Sequence, residues 1–182
     1  MIDIDVQGIA RLKATLEGTT KKLSREMAIV VNKTAKKTKS LIAKKIGKVI
    51  TLPQKNIRKL LSVPTQATPE HISATVTVKG TKRINLKFYK ARQTKTGVTT
   101  KVFRAGAAQV DAGAFKVARY KGRVIRRVGK QRGPLQSLSG PAAAEIFKDF
   151  AFDEVKQETK AELTKQLNER IRFLTLKQSG AI

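Results

Sequence analysis

Asp3 and Asp5 come nearest in this sequence to a pair of catalytic carboxylates. They alternate with Ile2, Ile4 and Val6, which places both on one face of a short half-buried strand. Two acids so placed are the usual solvated face of a strand, and acid/base work is not expected of them. His71 is the only imidazole and stands beside Glu70 at the start of another alternating run, where it reads as polar loop chemistry. There is no cysteine, so disulfides, thiolate zinc sites and cysteine nucleophiles are excluded. A lone imidazole leaves no histidine cluster for a metal. Neither a GxxxxGK(S/T) phosphate cradle nor a GxGxxG turn occurs. Magnesium-dependent nuclease chemistry needs acids beside the phosphate-binding surface. Asp111 is the only acid within residues 79–132, and a tethering salt bridge is its expected role. Glu145, Asp149, Asp153, Glu154, Glu158, Glu162 and Glu169 are interleaved with Lys and Arg at helical spacing, which is ordinary surface patterning. No catalytic residue, metal or cofactor is expected.

The side chains left to act are cations. The chain has 182 residues, of which 39 are Lys or Arg and 13 Asp or Glu, for a formal charge of +26. Residues 27–69 carry ten cations and no acid; residues 79–132 carry seventeen, eight of them Arg, against Asp111. A field so one-sided opposes compaction by self-repulsion and attracts polyanions or acidic partner surfaces. Arginine is the better fork for phosphate and carboxylate. The residues expected to touch an anion, whether DNA or an acidic partner, are Lys116, Arg123, Arg127, Lys130 and Arg132, then Lys87 and Arg83. There are seven Phe and two Tyr but no zinc-finger spacing, zipper heptads or clustered aromatics, so contact with nucleic acid would be made to the backbone rather than to bases. No apolar run approaches the ~20 residues of a membrane span, and Met1–Val6 lacks the basic and apolar regions of a secretory leader.

These cations need elements to hold them. The alternation over 2–6 predicts a strand, and Ile9, Leu12 and Leu16 a helix ending near Gly18. Leu23, Met27, Val30, Val31, Thr34, Leu41, Ile42 and Ile46 predict a long amphipathic helix over about 23–48, with Lys33, Lys36, Lys37, Lys44, Lys45 and Lys48 opposite. Thr51-Leu-Pro53 reads as the start of a short helix carrying Ile57, Leu60 and Leu61, and Pro64 and Pro69 bracket a loop. Residues 72–79 and 84–89 alternate and predict a hairpin turning at 80–83; a second hairpin turns at Lys95–Gly97, and 104–112 reads as a mobile loop. A third hairpin pairs 113–120 with 123–128 about Lys121-Gly122. That turn sets Lys116 opposite Arg127, with Phe115, Val117, Val124 and Val128 on the core face and Lys116, Arg123 and Arg127 on the other. Like charges directly opposed are unfavourable unless something anionic covers them; a charged edge that discourages strand addition is the other reading. Ser139 is the expected N-cap and Pro141 the first turn of a closing helix reaching Gln178, whose length of ~54 Å calls for packing on a neighbouring copy, on the N-terminal helix, or on both.

Gly113-Ala114-Phe115, then Arg126-Arg-Val-Gly-Lys-Gln-Arg-Gly-Pro-Leu135, then Leu138-Ser-Gly-Pro141, resembles the G-A-F … R-x-G-K-x-R-x-P-(I/L)-x-x-L-x-G-P pattern of the phage minor tail protein Z family. Val31–Ala35 and Arg58-Lys59-Leu60 are similar to that family's early helices, while Gly133 stands where relatives carry bulkier residues. The resemblance implies a virion protein at the head–tail junction of a long-tailed phage, completing the tail so that it joins a DNA-filled head. It further implies a ring of copies, six on a symmetric tail. Its neighbours would be a tail terminator or tail tube and head-completion proteins, with the packaged DNA end nearby. Assembly would take place in the host cytoplasm.

The expectation is therefore a single α+β domain over 1–182: an N-terminal strand and helices (1–62), an antiparallel basic β-sheet (70–132) and a long C-terminal helix (139–178). The expected function is structural and non-enzymatic, with no membrane partner. A cellular, non-sequence-specific nucleic-acid binder of ribosomal or nucleoid type is the alternative, and a nuclease a distant third.

Overall fold

The computed structural model describes residues 20–80 and 83–179. The strand expected at 2–6, the helix at 9–18 and its continuity with the next helix lie outside the described residues. So do Thr81 and Lys82 of the expected turn. The fold is α+β, with long N- and C-terminal helices and small antiparallel sheets. Among the described residues two compact units form, one within 1–41, 62–77 and 152–182, the other within 42–61 and 78–151.

The first unit is built on two helices. Helix α1 runs Thr20–Val49 and contributes its residues up to Leu41 here, and α4 runs Phe152–Gln178. Met27, Val30 and Thr34 are buried on the expected stripe of α1, and Lys33, Lys36 and Lys37 stay exposed opposite them. Val30 packs with Leu163 and Leu167 of α4. The pairing is antiparallel: Glu26 meets Arg170, Lys37 meets Glu162, and the Thr38 and Thr159 hydroxyls meet at 3.2 Å. Asn32 reaches from α1 to the backbone of Ala67, its Nδ2 donating to the carbonyl and its Oδ1 accepting from the N–H, both at 2.8 Å. Strands β1 (Leu61–Thr65) and β2 (Thr75–Val78) pair with each other and lie mostly in this unit. Pro64 therefore sits in a strand rather than at the edge of a loop. A two-stranded sheet has free edges, where a residue without an N–H is tolerated.

In the second unit α1 ends, and α2 (Gln54–Lys59) follows with Ile57 fully buried. Pro53 precedes the helix instead of opening it. Thr51 does not cap it: its hydroxyl donates to the Lys101 carbonyl, and its N–H to the Val102 carbonyl at 2.9 Å. The expected 72–79/84–89 hairpin is replaced by other pairings. Strand β3 is only Arg83–Asn85, and it pairs with β10 (Ser139–Ala142), while Leu86–Phe88 is a 3₁₀ turn. Alternation identifies a face but not a partner, and the Asn85 side chain accepting from the Lys87 N–H at 3.0 Å turns the chain out of the strand.

Strands β4 (Arg92–Gln93) and β5 (Gly97–Thr100) form the hairpin expected at Lys95–Gly97. The stretch expected as a loop contains β6 (Gln109–Ala112), antiparallel to β5. At their closest approach a Cβ on Gly97 would lie 2.1 Å from the Asp111 carbonyl oxygen, so only glycine lets these backbones meet. Strands β7 (Ala114–Val117), β8 (Arg123–Arg127) and β9 (Leu135–Ser137) make a second three-stranded sheet. The expected single sheet is thus several small ones.

The closing helix differs as well. Ser139 and Pro141 belong to β10, and helix α3 (Ala143–Phe150) starts later, with the Glu145 carboxylate accepting from the Ala142 N–H at 3.2 Å. At Ala151 the backbone leaves helical geometry (φ −139°, ψ −8°), which separates α3 from α4. By itself α4 spans ~40 Å, and α1 covers it along an apolar stripe.

Candidate functional site

Seventeen cations come from one stretch of sequence, so the question is how the second unit holds them. Its residues include 24 Lys and Arg against Asp111, Glu145 and Asp149, so +21 of the formal +26 is concentrated there.

The β7–β8–β9 sheet sets the arrangement. The observed register pairs Ala114 with Arg126, Phe115 with Ile125, Lys116 with Val124 and Val117 with Arg123. The expected two-residue turn fails because the chain makes a 3₁₀ turn at Ala118–Tyr120, with the Lys121 N–H donating to Ala118 O and the Gly122 N–H to Val117 O, both at 2.9 Å. The slip is by an odd number of residues, and an odd slip exchanges faces. Lys116 is therefore opposite Val124, not Arg127, and no like-charge pair forms there. One face of the sheet carries Ala114, Lys116, Val124 and Arg126. The other carries Phe115, Val117, Arg123, Ile125 and Arg127, joined through the β9 register by Leu135 and Ser137. Val124 and Ala114 are buried on the first face and Ile125 on the second, so each face is covered at its centre and carries exposed cations at its ends; Val128, expected in the core, is 55% exposed.

The seven expected contact residues thus separate. Arg123 and Arg127 share the second face and are exposed, and the Arg127 guanidinium lies 5.6 Å from the centre of the Phe115 ring. Lys130 and Arg132 are exposed on the connection from β8 to β9. Among the described residues, none of these four has a carboxylate within ion-pair distance. Lys116 is on the other face and donates through Nζ to the Ala91 carbonyl at 3.2 Å, while Gln93 Oε1 accepts from its N–H. Lys87 is half-buried, donates to the Lys121 carbonyl at 2.9 Å and stands 4.7 Å over the Phe88 ring. Arg83 lies 3.8 Å from Glu145 in an exposed ion pair. Four of the seven are free to meet an anion; three are already engaged.

Two residues that sequence reasoning missed hold this arrangement. Where β9 leaves β8, the Asn85 amide takes over the strand's hydrogen bonding. Its Oδ1 accepts from the Val124 N–H at 3.0 Å, and its Nδ2 reaches the carbonyls of Val124 (3.0 Å) and Leu138 (2.8 Å) and the Ser137 hydroxyl (2.9 Å). Arg104 caps the end of α1, its Nε donating to the Gly47 carbonyl at 2.7 Å and the Ile50 carbonyl at 3.1 Å. A cation there satisfies orphan carbonyls and complements the helix dipole. Both contacts span long sequence separations and leave no local signature.

Among the described residues, no three His, Cys, Asp or Glu side chains come together as metal ligands, and no helix is long and apolar enough to cross a membrane. What the unit offers is a small sheet carrying exposed arginines, and the class it defines is a strongly cationic α+β protein. Over residues 6–177 the sequence matches the family described as prophage minor tail protein Z, and the chain belongs to that family. It is a structural protein of the phage tail, associated with the virion. Membership of such a family points away from an enzyme. No curated protein and no solved structure matches the chain.

Proposed function

We propose that this protein completes the tail of a long-tailed phage at the head–tail junction, making it competent to join a DNA-filled head. Copies form a ring on the symmetric tail, six in the arrangement the resemblance implies. They lie between tail tube or terminator and head-completion proteins, and assemble in the host cytoplasm. Their cationic sheets lie against a polyanion, either the end of the packaged DNA or an acidic neighbour. Support comes from family membership together with one observation, the +21 unit whose Arg123, Arg127, Lys130 and Arg132 stand exposed with no acid beside them among the described residues. Such a concentration is costly in self-repulsion and is offset when an opposite charge is docked.

The test is the double substitution Arg123→Glu, Arg127→Glu. Both side chains are exposed, so the circular dichroism spectrum of the variant should match the parent, and its melting temperature should be no lower, since four units of mutually repelling charge are removed. Phage carrying it should yield heads and tails that fail to join, with infectious titre falling by orders of magnitude. A wild-type titre would overturn the proposed role of these arginines.

A further inference from the structure

We infer that segments 86–93 and 116–121 of the second unit form a lysine cluster for the phosphate backbone of DNA, with Lys90 and Lys121 as its principal contacts. This rests on the junction role proposed above and chooses between its two polyanions.

The two segments hold Lys87, Lys90, Arg92, Lys116, Arg119 and Lys121 and no acid. Far apart in sequence, they are tied side by side. Lys87 Nζ donates to the Lys121 carbonyl at 2.9 Å, Lys116 Nζ to the Ala91 carbonyl at 3.2 Å, and the Lys116 N–H to Gln93 Oε1 at 2.8 Å. Two ammonium groups thus hold the remaining cations together against their mutual repulsion. Lys90, Arg92, Arg119 and Lys121 are exposed, and among the described residues none has a carboxylate within ion-pair distance.

The backbone singles out two of them. Lys90 has φ 52° and Lys121 φ 54°, the only non-glycine residues with positive φ among the described residues. Glycine or asparagine adopts this left-handed conformation at less cost than lysine. Neither ammonium has a hydrogen-bond partner among the described residues, so internal bonding does not account for a lysine at either place. Strain of this kind gathers where a side chain is needed for function. Composition selects the anion. Lysine is depleted from protein interfaces, whereas surfaces that meet DNA are far more positively charged. Four of the six cations here are lysine, a point charge that suits a phosphate but lacks the fork with which arginine holds a carboxylate.

The test measures binding of the full chain to a short random-sequence DNA duplex over a range of salt, with polyglutamate as the second probe. Lys90→Asn, Lys121→Asn removes both ammonium groups and keeps the bonds between the segments, because Lys121 contributes only its main-chain carbonyl to them. The variant should melt no lower than the parent, since strain and repulsion both fall. Affinity for the duplex should drop about tenfold, and the slope of log K against log salt should flatten by about two, one for each lost phosphate contact. Lys121→Asn alone replaces it should the double variant melt early, with a slope change of about one. Lys55→Gln, Lys59→Gln removes the same charge from exposed positions of α2 and should weaken duplex binding less than about threefold, through screened long-range charge alone. An equal loss from the α2 pair overturns the inference, because cations anywhere would then serve. So does a parent chain that holds polyglutamate as tightly as the duplex, or does not hold the duplex. The junction role is read separately: phage lacking this gene should accumulate unjoined heads and tails, and normal joining would overturn that role whatever the binding result.

Discussion

Asn85 is a short side chain asked to stand in for a strand. Its Oδ1 accepts the Val124 N–H, and its Nδ2 ties together the Val124 and Leu138 carbonyls, beside the bond that the Leu138 N–H still makes to Val124. Truncation to alanine leaves the Val124 N–H without its partner in a half-buried site, while the Val124 and Leu138 carbonyls keep the N–H groups of Leu138 and Leu86. Asn85→Ala should therefore lower unfolding free energy by about 1–3 kcal/mol in urea titrations. Gly140 is constrained from the other side: a Cβ there would lie 2.7 Å from the ring of Tyr89, which is only 1% exposed. Gly140→Ala should cost about 1–3 kcal/mol by overpacking. Burial also pushes the Tyr89 phenol up to about 12. The folded state then keeps a proton that the unfolded chain loses near the ordinary value of ~10, so stability should fall as pH rises from there toward 12. The chain has two tyrosines and no tryptophan, so absorbance of Tyr120→Phe follows this one phenol and should show it ionising near 12. Thr34 is a contrary case. Its buried hydroxyl has no hydrogen-bond partner, so Thr34→Val should be neutral or slightly stabilising.

Helix pairing in the first unit is fixed by a narrow apolar stripe with ion pairs along its sides. The Glu162 carboxyl is held below the usual glutamate range, chiefly by its hydrogen bond from Lys37. The pair's stabilisation is thus present above the unfolded-state value and lost as pH falls through the lowered one. Glu162→Gln should remove part of the acid sensitivity seen in unfolding curves from neutral pH downward. The stripe on α1 was legible because a helix repeats its pattern over many turns: Met27, Val30, Thr34, Ile42 and Ile46 are all buried as their spacing predicts. Strands were legible as alternation but not as pairs. Nothing local says that Arg83–Asn85 joins Ser139–Ala142, or that 109–112 adds to β5. The β7–β8 register turned on a single feature, the 3₁₀ turn at Ala118–Tyr120, and with it the face on which the arginines stand. Arg123 and Arg127 were identified as a pair from sequence; their apolar surroundings and the desertion of Lys116 to the other face were not. The break at Ala151 also went unseen, because Phe147, Phe150 and Val155 continue a helical pattern across it.

At the scale of the whole molecule, charge outweighs everything local. With +21 in one compact unit, repulsion acts over the ~10 Å Debye length of 0.1 M salt and is relieved as salt rises. The melting temperature should climb by several degrees from about 20 to 300 mM sodium chloride, where a chain with balanced charge would move little. Such repulsion invites engineering: stripping surplus cations is the obvious way to make the protein easier to concentrate. Arg104 sets a limit on that programme. Its guanidinium is counted with the excess in any tally, yet it is a fastener between the last turn of α1 and the segment after β5. Neutralising Lys95 subtracts only charge, whereas trimming Arg104 unfastens a helix end. A solubility library that treats all cations alike would discard its best members for that one position.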